Sequence, residues 1–305
     1  MLKALMWLLI VILLIPALLY VPFVQDFVKD IALKEVAKST GMTVEVDRFR
    51  LKWPLKVNLG GVTVVEAQGD TMLRAGDVSL DVGLMQLLKL DIHASGELSD
   101  VRYQLGTPDS QMYLVADVKK FKLNPSDYDL KRQRIDVSKA RLDGGDVTLL
   151  FNGNDTTATP PDTAASMALV IKAGLIELHD INYRMAMLPV IDSLGVNVPS
   201  AVLRDGLVDM GTKRIHAASL CVDSVTGTYL TPSAEWLKEH PVDSALVARA
   251  DTVATPDSEM WVITGDSVSL TGRQAVYAMR GAVPQPGLDM SYLQVNDLDI
   301  CVDPF

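Results

Sequence analysis

The residues best suited to metal binding or nucleophilic chemistry are four histidines and two cysteines. Their spacing offers neither chemistry. His93, His179, His216 and His240 are scattered, and no His-Glu-x-x-His pair sets two imidazoles on one helical turn. Cys221 and Cys301 stand 80 positions apart with no Cys-x-x-Cys, which leaves no structural zinc site and no dithiol motif. Gly-x-Ser-x-Gly, a Walker A loop and a strand-to-helix Gly-x-Gly-x-x-Gly are all missing. The aspartates stand singly among apolar residues, as on the solvated face of a sheet. His179 and Asp180 are adjacent, so in a regular strand their side chains point to opposite faces. The expectation is a protein without catalytic machinery, catalytic metal or cofactor. The two cysteines lie in similar contexts, Leu-Cys-Val-Asp and Ile-Cys-Val-Asp, a weak sign of a repeated β-unit. A disulfide needs Cα atoms within about 7 Å, and nothing in the sequence brings these two together, so both are expected to be free.

Composition narrows the classes further. The chain has 305 residues and a net charge of −10, with a pI near 4.9. An acidic chain lacks the basic footprint of a nucleic-acid binder. Apolar residues make up 49% but aromatic residues only 6%, so the apolar content is aliphatic and favours strands.

Ala4 to Val24 is a run of 21 residues without a charge. As a helix it spans about 31 Å, the thickness of a bilayer core. Trp7 and Tyr20 lie near its ends, where amphipathic rings prefer the interface, and Leu13 lies at its centre. The run exceeds a signal-peptide core of about 7–15 residues, and no small-x-small cleavage site follows. Residues 1–24 are therefore expected to be an uncleaved transmembrane anchor. Lys3 on one side and Lys29, Lys34 and Lys38 on the other leave the orientation open.

Residues 25–41 read as one amphipathic helix. Phe27, Val28, Ile31, Ala32 and Val36 form its stripe, and Gly41 is a natural C-cap. Such a helix either lies on the membrane or plugs the end of the following sheet, and the plug is the expectation.

From Met42 the hydrophobic period falls from about 3.6 to 2. Val44 and Val46 alternate with charged residues; after a slip, so do Phe49, Leu51 and Trp53. Val57, Leu59, Val62 and Val64 continue around Gly60-Gly61, followed by Val78, Leu80 and Val82. The slips at glycine or charge read as bulges or bends. A helical turn is expected at Leu84 to Lys89. Alternation resumes at Met112–Val118, Val147–Phe151, Ala218–Val222 and Leu298–Val302. One phase is aliphatic and the other polar, which describes a sheet solvated on one face. Residues 42–151 and 167–305 thus form two β-segments. A polar, proline-bearing loop separates them at 152–166, and a second excursion spans about 231–258. Thr231-Pro232 reads as the N-cap and N1 of a short helix there.

The sequence Thr40-Gly41 through Val44, Val46, Phe49, Leu51, Trp53-Pro54-Leu55, Val57 and Leu59 resembles the start of the AsmA-like superfamily. Asp70 to Leu73 and Ala75 to Val82 continue the likeness. Val222 to Leu230 and Gly287 to Phe305 resemble TamB-like members from Bacteroidota. The resemblance implies an elongated, curved, antiparallel-rich, taco-like β-sheet. It implies a single-pass protein of the inner membrane with its body in the periplasm. It further implies phospholipid transfer toward the outer membrane, or help in outer-membrane protein assembly with a β-barrel partner. It carries no catalytic residues. TamB-like proteins are usually far longer, so the chain corresponds to their N-terminal portion.

Val57, Leu59, Val62, Val64, Val78, Leu80 and Val82 share one phase, and a continuous apolar groove on that phase is the expected site for phospholipid acyl chains. Two other uses stay open: the filled core of a membrane-tethered β-sandwich, and a scaffold that engages β-barrel precursors through an open edge.

Overall fold

The computed structural model describes residues 21–52, 56–66, 69–82, 92–110, 112–129, 133–152, 169–188, 192–240, 261–283 and 285–304. They form a mainly β protein. Helix α1 (Pro22–Thr40) is followed by β1 (Thr43–Lys52), β2 (Lys56–Val65), β3 (Thr71–Val82), β4 (Ile92–Leu105), β5 (Met112–Asp129) and β6 (Arg134–Asn152). Then come β7 (Val170–Leu188), β8 (Asp192–Asp209), β9 (Arg214–Pro232), helix α2 (Ala234–Glu239), β10 (Val262–Arg280) and β11 (Tyr292–Val302). The strands make one eleven-stranded sheet in chain order. The strands before and after the 152–166 excursion share this sheet, because β6 and β7 pair over their whole length.

Most neighbours are antiparallel, as a meander requires. The exceptions are β6–β7 and β9–β10, which pair in parallel. A parallel pair needs a crossover of about a dozen residues or more. The two excursions expected at 152–166 and 231–258 coincide with these crossovers. Residues 153–168 and 241–260 lie outside the described residues, as does the turn expected at Leu84 to Lys89.

The helices correct three expectations. Helix α1 begins at Pro22, inside the stretch assigned to the anchor, because proline suits the first helical turn. It ends at Gly41, whose φ of 73° lets its N–H reach the Ala37 carbonyl. It does not plug the end of the sheet: it runs back along edge strand β1, and buried Gln25 donates Nε2 to the Leu51 carbonyl at 3.1 Å. Helix α2 is capped by Ser233, whose Oγ accepts from Trp236 N–H at 3.1 Å; Thr231 and Pro232 belong to β9. Pro232 is held opposite Arg280 in the sheet, so the helix starts two residues later. No helix among the described residues is long and apolar enough to cross a membrane.

Two creases cross the sheet. At the first, cross-strand pairing lapses between flanking matched residues without a change of register. The unmatched row runs through Asp47, Gly61, Gly76, Asp100, Lys119, Gly144, Asp180 and Pro199. Gly61, Asp100, Gly144 and Asp180 adopt left-handed backbone, at φ 63°, 51°, 67° and 54°; Ser224 and Asp297 continue the row at 59° and 55°. The lapse breaks strict alternation, through a left-handed residue in several of the strands, so apolar positions step by three across the crease. Leu59/Val62, Ala75/Val78 and Leu98/Val101 show the step, and all six pack in one cluster. The second crease passes through Ser95, Pro125, Ser138, Gly174 and Asp205, where Asp205 has φ 49°. A Cβ on Gly174 would meet the Ser138 carbonyl at 2.9 Å. Pro125 and Pro199, which lack an N–H for the ladder, sit where ladder pairing lapses. The expected opposition of His179 and Asp180 assumed regular pleating, which Asp180 interrupts.

Charged residues pair along the other face. Lys139 Nζ lies 2.8 Å from Glu177, and Arg141 lies 2.7 Å from Asp143. These hydrogen bonds hold both carboxyls below the ordinary carboxylate range. One level away, Arg102 meets Asp117 at 3.2 Å, while Asn197 donates to Asn182 and Asn182 to Asp146. Partly exposed pairs contribute about 0–1 kcal/mol each, so these orient the face more than they stabilise it.

Two tests follow from these features. Asp180→Val should lower stability by about 1–2 kcal/mol, because a β-branched side chain is strained in the left-handed region. Asp180→Gly should leave stability unchanged or raise it; equal losses for both in chemical denaturation of the detergent-solubilised chain would refute the crease. The Glu177 and Asp143 carboxyls have lowered folded pKa values. Their contribution is therefore complete above the ordinary carboxylate range, about pH 4, and is lost as pH falls through the lower folded values. Replacing Lys139 and Arg141 by Met should shrink the acid-dependent fall in denaturation midpoint.

Candidate functional site

Residues matched across neighbouring strands present their side chains on the same face. Beside the first crease, Phe49, Leu59, Val78, Leu98, Phe121, Leu142, Leu178, Ala201, Val222, Leu270 and Ile300 stand in one row, one from each strand. The next row holds Leu51, Val57, Leu80, Gly96, Leu123, Ala140, Ile176, Leu203, Leu220, Val268 and Val302. Neither row contains a polar side chain. Across the crease, Val62 pairs with Val46 and Ala75, and Val64 with Val44 and Leu73. The sheet therefore carries an apolar face that crosses every strand without interruption.

That face is not covered by a second layer among the described residues. Apart from α1 on β1, each element makes its substantial contacts with its sheet neighbours. Among the described residues the buried apolar ones are Val62, Ala75, Val78, Val115, Ala140, Ala173 and Ala201, with none larger than valine. A filled β-sandwich core would bury its leucines, isoleucines and phenylalanines fully. Here Leu80 remains 37% exposed. The described residues thus form an open sheet, not a sandwich.

Of the residues singled out in the sequence, Leu59, Val62, Val64 and Val78 lie in one packed cluster with Val44, Val46, Leu98 and Val101. Val57 and Leu80 are direct partners one row further. Val82 ends β3 opposite Ala94. Trp7, Leu13 and Tyr20 lie outside the described residues. The sequence reading stopped at β3 and missed Leu98, Phe121, Leu142 and Leu178 further along the same row. The step of three between apolar positions in successive strands is the signal that would have found them.

One end of the face is an exposed apolar rim. Met112, Phe151 and Met187 are matched there, and each is exposed. Tyr229 stacks on Tyr277 at 6.0 Å nearby. The loop before β11 projects Val283, Leu288 and Met290 into solvent. Asp289 braces that loop by accepting hydrogen bonds from Ser291 N–H, Ser291 Oγ and Gln285 N–H, which keep its carboxyl below its usual range.

Polar chemistry is sparse by comparison. His216 Nδ1 lies 3.1 Å from Thr264 Oγ1, and His240 stacks on Trp236. A hollow of about 560 Å³ borders Asp136, Ser138, Lys172 and His216 along the second crease. No cluster of three or more His, Cys, Asp or Glu side chains among the described residues is placed to hold a metal. Cys221 and Cys301 are free, and each is matched to Ser269 of the strand between them. Two strand spacings set them about 9.6 Å apart, too far for a disulfide. The carboxylate of Asp303, with that of Asp299 beyond it, pushes the Cys301 thiol pKa up.

Comparison with protein-family models, with curated proteins and with solved structures finds no match. The apolar face must therefore be interpreted from its own geometry. Its residues should respond to charge according to burial. Val78→Asp, at a position only 9% exposed, should cost several kcal/mol, on the order of a lost core contact plus a buried carboxyl. Leu80→Asp should cost less than about 1 kcal/mol, since the side chain can reach water. Equal unfolding by both in a denaturation series would show Leu80 to be core.

Proposed function

We propose that this chain carries lipid acyl chains along the apolar face of its sheet, between a membrane in which residues 1–20 anchor it and an acceptor membrane. The uninterrupted pair of apolar rows, uncovered by a second layer, is the observation that supports this most. Exposing an acyl chain of about 16 carbons to water costs on the order of 13 kcal/mol at about 0.8 kcal/mol per methylene. A greasy track that remains apolar from strand to strand removes most of that barrier without any catalytic group. Such a track needs no specificity pocket and no cofactor. The other face, with its ion pairs and amide ladder, keeps the sheet wetted from behind. This reading agrees with the AsmA-like resemblance, which implies a trough-shaped periplasmic sheet that serves phospholipid traffic from the inner to the outer membrane.

A second use is favoured by the edge at β11. Its strand is exposed along nearly its whole length, including Tyr292, Val295, Ile300 and Val302. An open edge accepts another strand, as a scaffold for outer-membrane β-barrel precursors would require.

The acyl-chain reading is tested by photo-crosslinking in membranes that contain the full chain. A crosslinker at Leu80, Phe121 or Leu178 should capture phospholipid, while one at Asp117 on the opposite face should not. Folded protein that yields no lipid adduct at any of the three positions would end the proposal. Capture of polypeptide at Val295 or Ile300 would favour the edge reading instead.

A further inference from the structure

Helix α1 wears part of its apolar surface on the outside. Phe23, Phe27 and Ile31 are 80%, 61% and 52% exposed. At 100° per residue their four-residue spacing places them in one stripe. The opposite side of the helix is committed to the protein, because Gln25 is buried against β1 and bonded to the Leu51 carbonyl. Lys34 and Lys38 are exposed, and the same helical geometry sets them in line with the stripe, further toward the C-terminal end of the helix. Two aromatic rings and an isoleucine, continued by lysines along the same line, match the outer surface of a helix lying in a bilayer interface, where lysine snorkels to the phosphates and the rings sit below them.

The position in the chain names the occupant. The uncharged run that begins at Ala4 ends at Val24, within the first turn of α1. Whatever membrane takes up that run holds the stripe against its own surface. We infer that α1 is an interfacial helix, seated on the phospholipid bilayer that holds residues 1–20, and that it lays the β1 edge of the sheet against that bilayer as the place where lipid enters. The two apolar rows begin at Phe49 and Leu51 on this edge. A lipid leaving the bilayer there meets the track within one strand of α1. The inference rests on the anchor and lipid-carrying reading, and it adds the point of loading.

The test uses the full chain reconstituted in vesicles of phosphatidylcholine and phosphatidylglycerol. A genetically encoded environment-sensitive fluorophore is placed at Phe27, with reference probes at Leu13 and Glu45. Lipids brominated near the headgroup should quench Phe27, lipids brominated near the chain end should quench Leu13, and neither should quench Glu45. Quenching at Leu13 but not at Phe27 would overturn the interfacial helix while leaving the anchor in place. No quenching at either position would overturn both. A triple variant, F23S/F27S/I31S, should keep the denaturation midpoint, because these side chains are exposed, and should reduce phospholipid crosslinking at Leu80 severalfold. Undiminished crosslinking at Leu80 in that variant would overturn the loading edge, whereas absence of crosslinking in the unmodified chain would instead remove the lipid reading.

Discussion

A sheet one layer thick can be apolar on one side only if every strand returns its apolar residues to that side. Strict alternation does this for a short strand. It becomes demanding for strands of 18 or 19 residues that must also follow the twist of their neighbours. The creases answer this constraint. Left-handed residues at Gly61, Asp100, Gly144 and Asp180 reset the pleat at one level, and the apolar phase resumes on the same face. Without the resets, Val62 and Leu59 would lie on opposite faces, and so would Val101 and Leu98. Aspartate and glycine are the residues that accept this backbone at least strain.

Cohesion in such a molecule is lateral. Each strand depends on its two neighbours through the ladder and through side chains matched in rows, which gives a nearly one-dimensional chain of interfaces. Only small residues settle deep: among the described apolar residues Ala75, Ala140, Ala173, Ala201 and three valines are buried, while the leucines and phenylalanines of the same rows stay partly open. The design gives up the fully buried leucines of a two-layer domain. It gains a broad apolar surface reachable from solvent, which is the property a lipid track requires.

The two edges are treated differently. At β1 the unpaired edge is flanked by α1, and Gln25 satisfies the Leu51 carbonyl. At β11 no described element lies outside the strand, and its residues are mostly exposed. Edge asymmetry gives the sheet a direction, from a helix-guarded side to a side able to accept another strand. The exposed rim at Met112, Phe151 and Met187 adds an apolar end to this directional body.

Alternation between Val44 and Val82 identified the strands and the apolar phase, because pleating gives a period of two whatever the tertiary context. The slips at Gly60-Gly61 and after Val46 were visible as interruptions, and the polar stretch after Asn152 and the excursion after Leu230 were visible as breaks. Gly41 as a C-cap was legible because a left-handed position favours glycine. What the sequence left open is whatever depends on which strand lies beside which. That Leu59, Leu98 and Leu178 share a row, that Cys221 and Cys301 flank Ser269, and that β6 and β7 run parallel are facts of register between segments remote in sequence. The side of α1 that the sheet leaves exposed was equally hidden, since a stripe of apolar residues does not say which of its members the sheet will cover. Local periodicity marked the apolar phase of the strands; only the pairing of eleven strands in one open layer decided that this phase would remain uncovered.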